Sequence, residues 1–418
     1  MGGTRRNFKG DLYKHMNIWI FNHHALTPDM SGGTRHYDFA KELIKRGHSV
    51  TIIASSFHYS KYQETKEYGN KEYLIEKIDG IDFIWIKTPT YFGNGISRVK
   101  NMISYTYKVL KYIPKLNLAK PDIIVGSSVH LFTVWAAYKL SCKYKTPFIM
   151  EVRDLWPQTL IDMGMSKCHP FILLLGWIEK YLYKKADKII SNLPYAYDYI
   201  GKFVKKEKFI WISNGVDLSN IKYTLKEKND KFIISYTGAI GIANNLKILL
   251  DVAKKLKEKK DIYFRIVGEG AEKEKLKVFV KENKLSNVSI ENSVPKNEVT
   301  NILQNSDILF LSLKDSPLYR FGISLNKLFD YMASGRVIIF SGNSKNNPIK
   351  DANAGYSIMP DDVESLEKAI LEIYSISQKE RNDIGVKIRK YAENNYSIEI
   401  LVDKFEKLLE NEIRKKNA

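Results

Sequence analysis

Phe232-Ile-Ile-Ser-Tyr-Thr-Gly-Ala-Ile-Gly241 is an apolar run that breaks into a loop with a glycine at each end. A short continuous run of this kind reads as a strand buried on both faces of a parallel sheet, and the segment Leu246 to Lys257 behind it reads as the helix of a βα unit. Working outward, the same signature stands near the start. Asn17-Ile-Trp-Ile-Phe21 leads into a loop ending Ser31-Gly-Gly-Thr34, then the helix Arg35 to Arg46, closed by Gly47, and the strand Val50-Thr-Ile-Ile-Ala54. The Gly32-Gly33 turn lets a ligand approach the backbone where that helix begins. Two βα units that each open on a glycine loop predict an α/β chain with two doubly wound sheets. The boundary falls near 218–230, in the polar stretch Ser219 to Lys231.

The length of 418 residues agrees, being too great for one ordinary core and right for two domains of about 200 residues. The expected division is a disordered basic leader over 1–15, an N-terminal Rossmann-like domain over 16–220, a C-terminal one over 221–392, and a final helix over 393–418 packing back on the N-terminal domain. The leader carries Arg5, Arg6, Lys9 and Lys14 with little apolar pattern. Cys142 and Cys168 fit no metal spacing and are too few for a disulfide framework, which suits a reducing cytosol. No signal peptide and no apolar run near 18 residues stands in the sequence. The formal charge of +19 admits nucleic acid, anionic lipid or a phosphorylated substrate as partner. Nucleic acid would call for basic residues interleaved with exposed aromatics or a recognisable binding module, and neither is visible.

The ends of the predicted strands carry the chemistry. Asp122-Ile-Ile-Val-Gly-Ser-Ser128 is a buried strand, and His130 in the first turn of the next helix points to the same edge as the Gly32-Gly33 loop. Pro147-Phe-Ile-Met-Glu-Val-Arg-Asp-Leu-Trp-Pro157 is a strand ending in Glu151, Arg153 and Asp154, three ionisable groups that are costly there unless paired or bound to a ligand. Pairing of Arg153 with a carboxylate is one way to satisfy them. Ser306-Asp-Ile-Leu-Phe-Leu-Ser312 and Val337-Ile-Ile-Phe340 bracket Arg320-Phe-Gly-Ile-Ser-Leu-Asn-Lys-Leu-Phe-Asp-Tyr-Met-Ala-Ser-Gly335. There Ser324 can cap a helix over Leu325 to Ser334 that Gly335 ends. Lys327 and Asp330 share one face, offering a cation for a diphosphate and a carboxylate for sugar hydroxyls, or else a surface ion pair. Phe83-Ile-Trp-Ile86 reads as an edge strand. Asn101 to Ile113 and Pro170 to Lys185 are apolar segments edged with lysines and aromatics, which fit either helices at a lipid surface or helices packed on their own sheet.

In order and spacing these pieces resemble the family 4 glycosyltransferases of GT-B fold, two Rossmann-like domains facing a central cleft. The pieces are Gly-Gly-Thr-Arg35 with Arg-Gly-His-Ser-Val50, Asn-Gly-Val-Asp217, Val-Gly-Glu-Gly270, Val294-Pro-Lys-Asn-Glu298 and Lys-Leu-Phe-Asp-Tyr-Met-Ala-Ser-Gly335. Glu151-Val-Arg-Asp-Leu-Trp-Pro157 and Gly-Ile-Ser-Leu-Asn-Lys327 look like the branch that builds bacterial O-antigen and capsule, including N-acetyl-L-fucosaminyltransferases. The resemblance implies that Asp330 holds ribose hydroxyls and that the backbone near Val294 faces the base. It implies that Ser324, Leu325, Asn326 and Lys327 meet the diphosphate, with Gly238, Gly241 and Gly268 close by. Gly33, Arg35, Arg153 and Asp154 would bind the acceptor, and His130, Lys327 and Arg320 would serve the transfer.

Gly322 stands where the family's first glutamate of Glu-x7-Glu belongs, and Ile242, Ala243 and Asn244 follow the glycine loop where many members carry Arg and Lys. Lys327 and Arg320 are then the cations left to neutralise a departing diphosphate. The resemblance implies a retaining, metal-independent transferase (EC 2.4) without cofactor. It would move an N-acetylated amino or deoxy sugar from a UDP-linked donor to a sugar on a polyprenyl diphosphate. The place implied is the cytoplasmic side of the plasma membrane, peripheral on an anionic surface. A sugar-nucleotide epimerase of the same fold is the rival within enzymes, and a basic nucleic-acid-binding protein the rival outside them.

Overall fold

A computed structural model describes residues 15–417 except 31, 60, 129, 222 and 228, together with 5–6 and 12–13. Most of the expected 1–15 leader lies outside the described residues; within it, Arg5–Arg6 pairs antiparallel with Leu12–Tyr13. The chain divides into two compact units, one of Met1–Thr27, Thr34–Ser213 and Leu401–Ala418, the other of Pro28–Gly33 and Asn214–Ile400.

The first unit is built on an eight-stranded sheet of β1 (Asn17–Phe21), β2 (Ser49–Ser55), β3 (Tyr73–Ile78), β4 (Ile81–Ile86), β5 (Ile123–Ser128), β6 (Phe148–Val152), β7 (Lys188–Ser191) and β8 (Phe209–Trp211). Its order is β8-β7-β6-β5-β1-β2-β4-β3, parallel except for the β3–β4 pair. Ile18 and Ile20 of β1 sit in register with Val50 and Ile52 on one side and Ile123 and Val125 on the other, and all six are buried. That is why β1 and β5 read as unbroken apolar runs. The strand order reverses between β1 and β5, so the loops leaving their carboxyl ends diverge and open a crevice. Helices α1 (Arg35–Lys45), α2 (Ile96–Tyr112), α3 (Leu131–Tyr144), α4 (Gln158–Asp162) and α5 (Pro170–Lys185) accompany the sheet.

Phe83–Ile86 is not an edge strand. Its neighbour β3 takes the edge antiparallel, pairing Leu74 with Trp85 and Glu76 with Phe83. The mixed burial of Tyr73–Ile78 fits a strand whose outer side meets solvent, and its charges hide it among the polar residues around it.

The second unit holds a parallel six-stranded sheet, ordered β11-β10-β9-β12-β13-β14. Its strands are β9 (Phe232–Thr237), β10 (Ile262–Val267), β11 (Val288–Glu291), β12 (Ile308–Ser312), β13 (Val337–Ser341) and β14 (Tyr356–Ile358). Here the order reverses between β9 and β12, so the crevice lies between the Gly238–Gly241 loop and the chain leaving Ser312. Helices α6 (Lys247–Lys255), α7 (Lys273–Glu282), α8 (Lys296–Gln304), α9 (Asn326–Ser334), α10 (Val363–Ser375) and α11 (Gln378–Tyr396) belong to this unit.

Two helix expectations need correction. α9 begins at Asn326 with Leu325 at its N-cap, because the Ser324 hydroxyl instead accepts the Asn214 backbone N–H at 2.8 Å. Helix α11 has no counterpart among the expected elements. Its signal is present as Ser377-Gln-Lys-Glu380, whose ends cap each other, with the Glu380 N–H donating to Ser377 Oγ at 3.2 Å and the Ser377 N–H to Glu380 Oε2 at 2.8 Å.

Helix α12 (Ile398–Asn417) belongs to the first unit from Leu401 onward. The Phe405 ring meets Phe39 of α1 at 5.6 Å, Arg46 Nη1 donates to Glu406 Oε2 at 2.7 Å, and His48 Nε2 lies 2.7 Å from Glu406 Oε1.

Candidate active site

In the first unit the edge of β1 and β5 gathers imidazoles. His130 caps α3, and its Nδ1 accepts the Thr133 N–H at 3.3 Å. A neutral ring that accepts at Nδ1 carries its proton on Nε2. The 2.6 Å contact between His130 Nε2 and His23 Nδ1 therefore runs from His130 to His23, and His23 in turn is protonated on Nε2. That Nε2–H is buried and has no partner. The His23 ring is stacked between Tyr105 at 4.3 Å and His24 at 4.4 Å. Burial pushes the pKa of His23 and His130 well below the ordinary histidine value, and the charge on neighbouring histidines and Arg98 pushes the same way. Both rings stay neutral near pH 7. His23 and His24 escaped the sequence reading, although Asn22-His-His24 directly follows the first strand.

Beside them lies a second network. Glu151, at the end of β6, accepts from Arg35 Nε at 2.8 Å and from His36 Nε2 at 2.6 Å, while Asn22 Nδ2 lies 2.7 Å from His36 Nδ1. Burial pushes the Glu151 carboxyl up, but His36 and Arg35 outweigh it and hold it ionised. Arg35 also donates to the Ile212 carbonyl at 3.0 Å and to that of Ser213, so this guanidinium is buried and engaged rather than presented to an acceptor. Arg153 is different. It pairs with neither Glu151 nor, among the described residues, any other carboxylate, and its buried Nε has no partner. Asp154 is exposed.

In the second unit the crevice between β9 and β12 holds Lys327, in the first turn of α9. Its Nζ donates to the Tyr236 hydroxyl at 2.5 Å and sits 4.4 Å above that ring, and Tyr236 donates in turn to the Ala239 carbonyl at 2.5 Å. Burial lowers the Lys327 ammonium to about 7. Among the described residues no carboxylate stands within ion-pair distance of it.

Gly238, at φ +131°, borders this group so closely that a Cβ would stand 3.0 Å from Lys327 Nζ. Gly268 faces the Gly238 carbonyl, and a Cβ there would lie 1.8 Å from its oxygen, so only glycine lets these two loops touch. Ser324 and Leu325 precede α9, with the Ser324 carbonyl accepting from Asn214 Nδ2 at 2.6 Å.

Val294 lies half-buried before α8, in a loop tied down where Lys273 Nζ donates to Asn292 Oδ1 at 2.6 Å and to Glu269 Oε1 at 2.8 Å. Gly241 opens a short 3-10 turn over Ile242–Asn244. Asp330 follows Lys327 on α9, half-buried. Arg320 is exposed, its guanidinium over the Phe321 ring at 4.6 Å. Gly33, in the 28–33 segment of this unit, approaches α9, where a Cβ would come 2.0 Å from Asn326 Nδ2.

Two doubly wound sheets in one chain, each with a ligand-type loop at its reversal point, define the GT-B class of glycosyltransferases. Residues 31–220 match the family model described as Glycosyltransferase Family 4, and residues 219–391 match that of Glycosyl transferases group 1. The two models match adjoining stretches, and the chain is a glycosyltransferase. It is 22% identical over 281 residues to the putative colanic acid biosynthesis glycosyl transferase WcaI of Escherichia coli K12, covering 63% of this chain and 68% of that one. Among solved structures, sucrose-phosphate synthase from Thermosynechococcus elongatus superposes with a TM-score of 0.73 at 15% identity, over 95% of this chain and 99% of that one. Anabaena HepE in complex with UDP and glucose gives 0.66 at 12%, over 95% and 100%.

Proposed function

We propose that the enzyme transfers an N-acetylated amino or deoxy sugar from a UDP-linked donor to a saccharide on a polyprenyl diphosphate, in bacterial O-antigen or capsule synthesis, with retention and without a metal. The observation that carries the reading is Lys327. A half-buried lysine with no carboxylate beside it among the described residues is held partly uncharged at a cost, and a diphosphate arriving at the N-terminus of α9 removes that cost. The glycine contact of Gly238 with Gly268 leaves the loop bare of side chains next to it. Cleaving a sugar–phosphate bond creates a departing anion, so a recharged Lys327 and the free N–H groups of Leu325 to Lys327 stabilise the transition state more than the ground state. Binding of UDP by HepE supports the nucleotide, and the colanic acid relative supports a polysaccharide product. In this reading cations of the chain, Lys327 first, neutralise the departing diphosphate. His130, bonded to His23, would orient the donor sugar or a phosphate oxygen. Asp330 would take the ribose hydroxyls.

A peripheral place on the inner membrane face is part of this reading. Among the described residues no helix is long and apolar enough to cross a membrane. The first unit nevertheless exposes Phe92, Ile96 and Ile103 around α2 and Leu173, Leu174 and Trp177 on α5. Lysines stand over neighbouring rings, Lys139 over Trp135 at 5.1 Å and Lys185 over Tyr181 at 5.6 Å. Apolar and aromatic side chains rimmed by lysine suit an anionic bilayer surface.

The test is a thermal-shift panel of UDP, GDP, ADP and CMP, with and without magnesium. UDP at about 100 times its dissociation constant should add roughly 2.7 kcal/mol, unchanged by magnesium. No shift with any nucleotide would defeat the donor assignment.

A further inference from the structure

The transfer described above leaves unused a set of nitrogens in the first unit. His24, just past β1, stacks on His23 and tilts against Tyr59 at 5.3 Å, and both its ring nitrogens are buried without a partner. Arg98, in the first turn of α2, donates to Asn94 Oδ1 at 2.5 Å and lies over the Trp156 ring at 6.0 Å, with its buried Nε unsatisfied. Arg153, just past β6, leaves its Nε unsatisfied as well. Three separate elements thus bring two guanidinium groups to one imidazole, and the charges of Arg98 and then Arg153 both bear on His24. His58 also acts on His24, Arg153 acts on Glu151 as well, and both guanidinium charges act on Asp154, exposed beside the pair. With Glu151 already engaged by Arg35 and His36, two cations against Asp154 leave a net positive charge. Buried orphaned donors in such a cluster are expensive unless a ligand occupies them.

We propose that Arg98, Arg153 and His24 form the seat for the phosphate groups of the acceptor. The inference rests on the reading of that acceptor as a lipid-linked diphosphate. Guanidinium forks match phosphate oxygens in pairs, and a neutral imidazole can supply a further N–H. The apolar surface continues the argument. Phe92 and Ile96 precede Arg98 in the chain and are among the most exposed large hydrophobic side chains described, at 81% and 77%. Met163, Leu173 and Trp177, also exposed, follow the turn that carries Arg153 and Trp156. The contact of Arg98 with Trp156 joins these two apolar stretches at the proposed seat, so a phosphate held there leaves its hydrocarbon tail next to them.

The experiment is calorimetry on the full chain with inorganic pyrophosphate and with farnesyl diphosphate, for wild type, Arg98→Gln, Arg153→Gln and Lys327→Met. A pyrophosphate site should persist in Lys327→Met and weaken roughly tenfold or more in each arginine variant, as befits loss of a charged hydrogen bond. Arg98→Lys and Arg153→Lys, which keep the charge, should recover part of it, and farnesyl diphosphate should bind more tightly than pyrophosphate. Pyrophosphate binding unchanged in both arginine variants, or lost only in Lys327→Met, overturns the seat. Phosphatidylglycerol vesicles that displace pyrophosphate from the wild type would also overturn it, since a headgroup would then be the occupant. An arginine-dependent pyrophosphate site in an enzyme that glycosylates no lipid-linked diphosphate sugar upholds the seat and removes the acceptor reading instead.

Discussion

Lys327 Nζ and the Tyr236 hydroxyl meet at 2.5 Å, with the ammonium lowered by burial to about 7. The depressed value means that the native state holds this proton less well than the unfolded chain, so the stability associated with it is present at alkaline pH and lost as pH falls through 7. A bound diphosphate reverses the preference. Nucleoside diphosphate binding at pH 8 should therefore take up close to one proton, seen as a binding enthalpy that varies with the ionisation enthalpy of the buffer. Lys327→Met should abolish the uptake and reduce kcat at least a hundredfold, the scale of losing one transition-state donor. Buffer-independent enthalpy in the wild type would refute it.

The His23–His130 bond predicts two outcomes that differ. His130→Ala removes both the α3 cap and the donor to His23 and should depress turnover at least a hundredfold with an unchanged circular dichroism spectrum. His23→Phe keeps the stack against Tyr105 but loses the orphaned N–H, and should lower kcat while leaving thermal stability within a few degrees. Near-normal turnover in either removes that ring from the site.

Glu179, buried in α5, accepts from the Tyr183 hydroxyl at 3.0 Å and the Tyr199 hydroxyl at 2.9 Å, and burial pushes its carboxyl up to about 8. The native state thus holds this proton more tightly than the unfolded chain does. The stability that results is complete below the ordinary glutamate value and is lost as pH rises through about 8. Melting temperature should fall between pH 5 and pH 8.5, and Glu179→Gln should flatten that fall. Parallel curves for the two proteins would refute the assignment.

Gly268→Ala puts a methyl where the Gly238 carbonyl oxygen stands. Backbone cannot yield as a flexible side chain does, so the substitution should cost about 1–3 kcal/mol, like other overpacked sites, and should weaken nucleotide binding more than stability. Gly47→Ala, with open space around it, is the control; strain at φ +92° should lower its stability without touching the nucleotide.

Leu173→Ser combined with Trp177→Ser should halve or better the fraction of protein sedimenting with phosphatidylglycerol vesicles, while lowering melting temperature by only a few degrees, because the two side chains are 60% and 58% exposed and Trp177 gives up only its contacts with Tyr181 and Trp135. Unaltered sedimentation would free the α5 surface from any membrane role.

The architecture was legible because buried parallel strands announce themselves as uninterrupted apolar runs, and Phe232–Thr237 and Ile123–Ser128 do so. Tyr73–Ile78 was not, since an edge strand half in water carries Glu76 and Lys77 and looks like a loop. Lys327 stands out in the sequence as a residue but not as a half-buried cation, because its partner Tyr236 is 91 residues away. Glu151 and Arg153 read together as a strand-end cluster, yet the structure parts them. Arg35, 116 residues from Glu151, takes the carboxylate, and no local pattern shows which of two arginines will turn inward.

The return of α12 to the first unit has a consequence for synthesis. Phe405 and Glu406, which pack on α1 and its following turn, leave the ribosome after every residue of the second unit has done so. The second unit can therefore close its sheet while the first still lacks its last helix, and the Phe39 surface stays uncovered until Phe405 emerges.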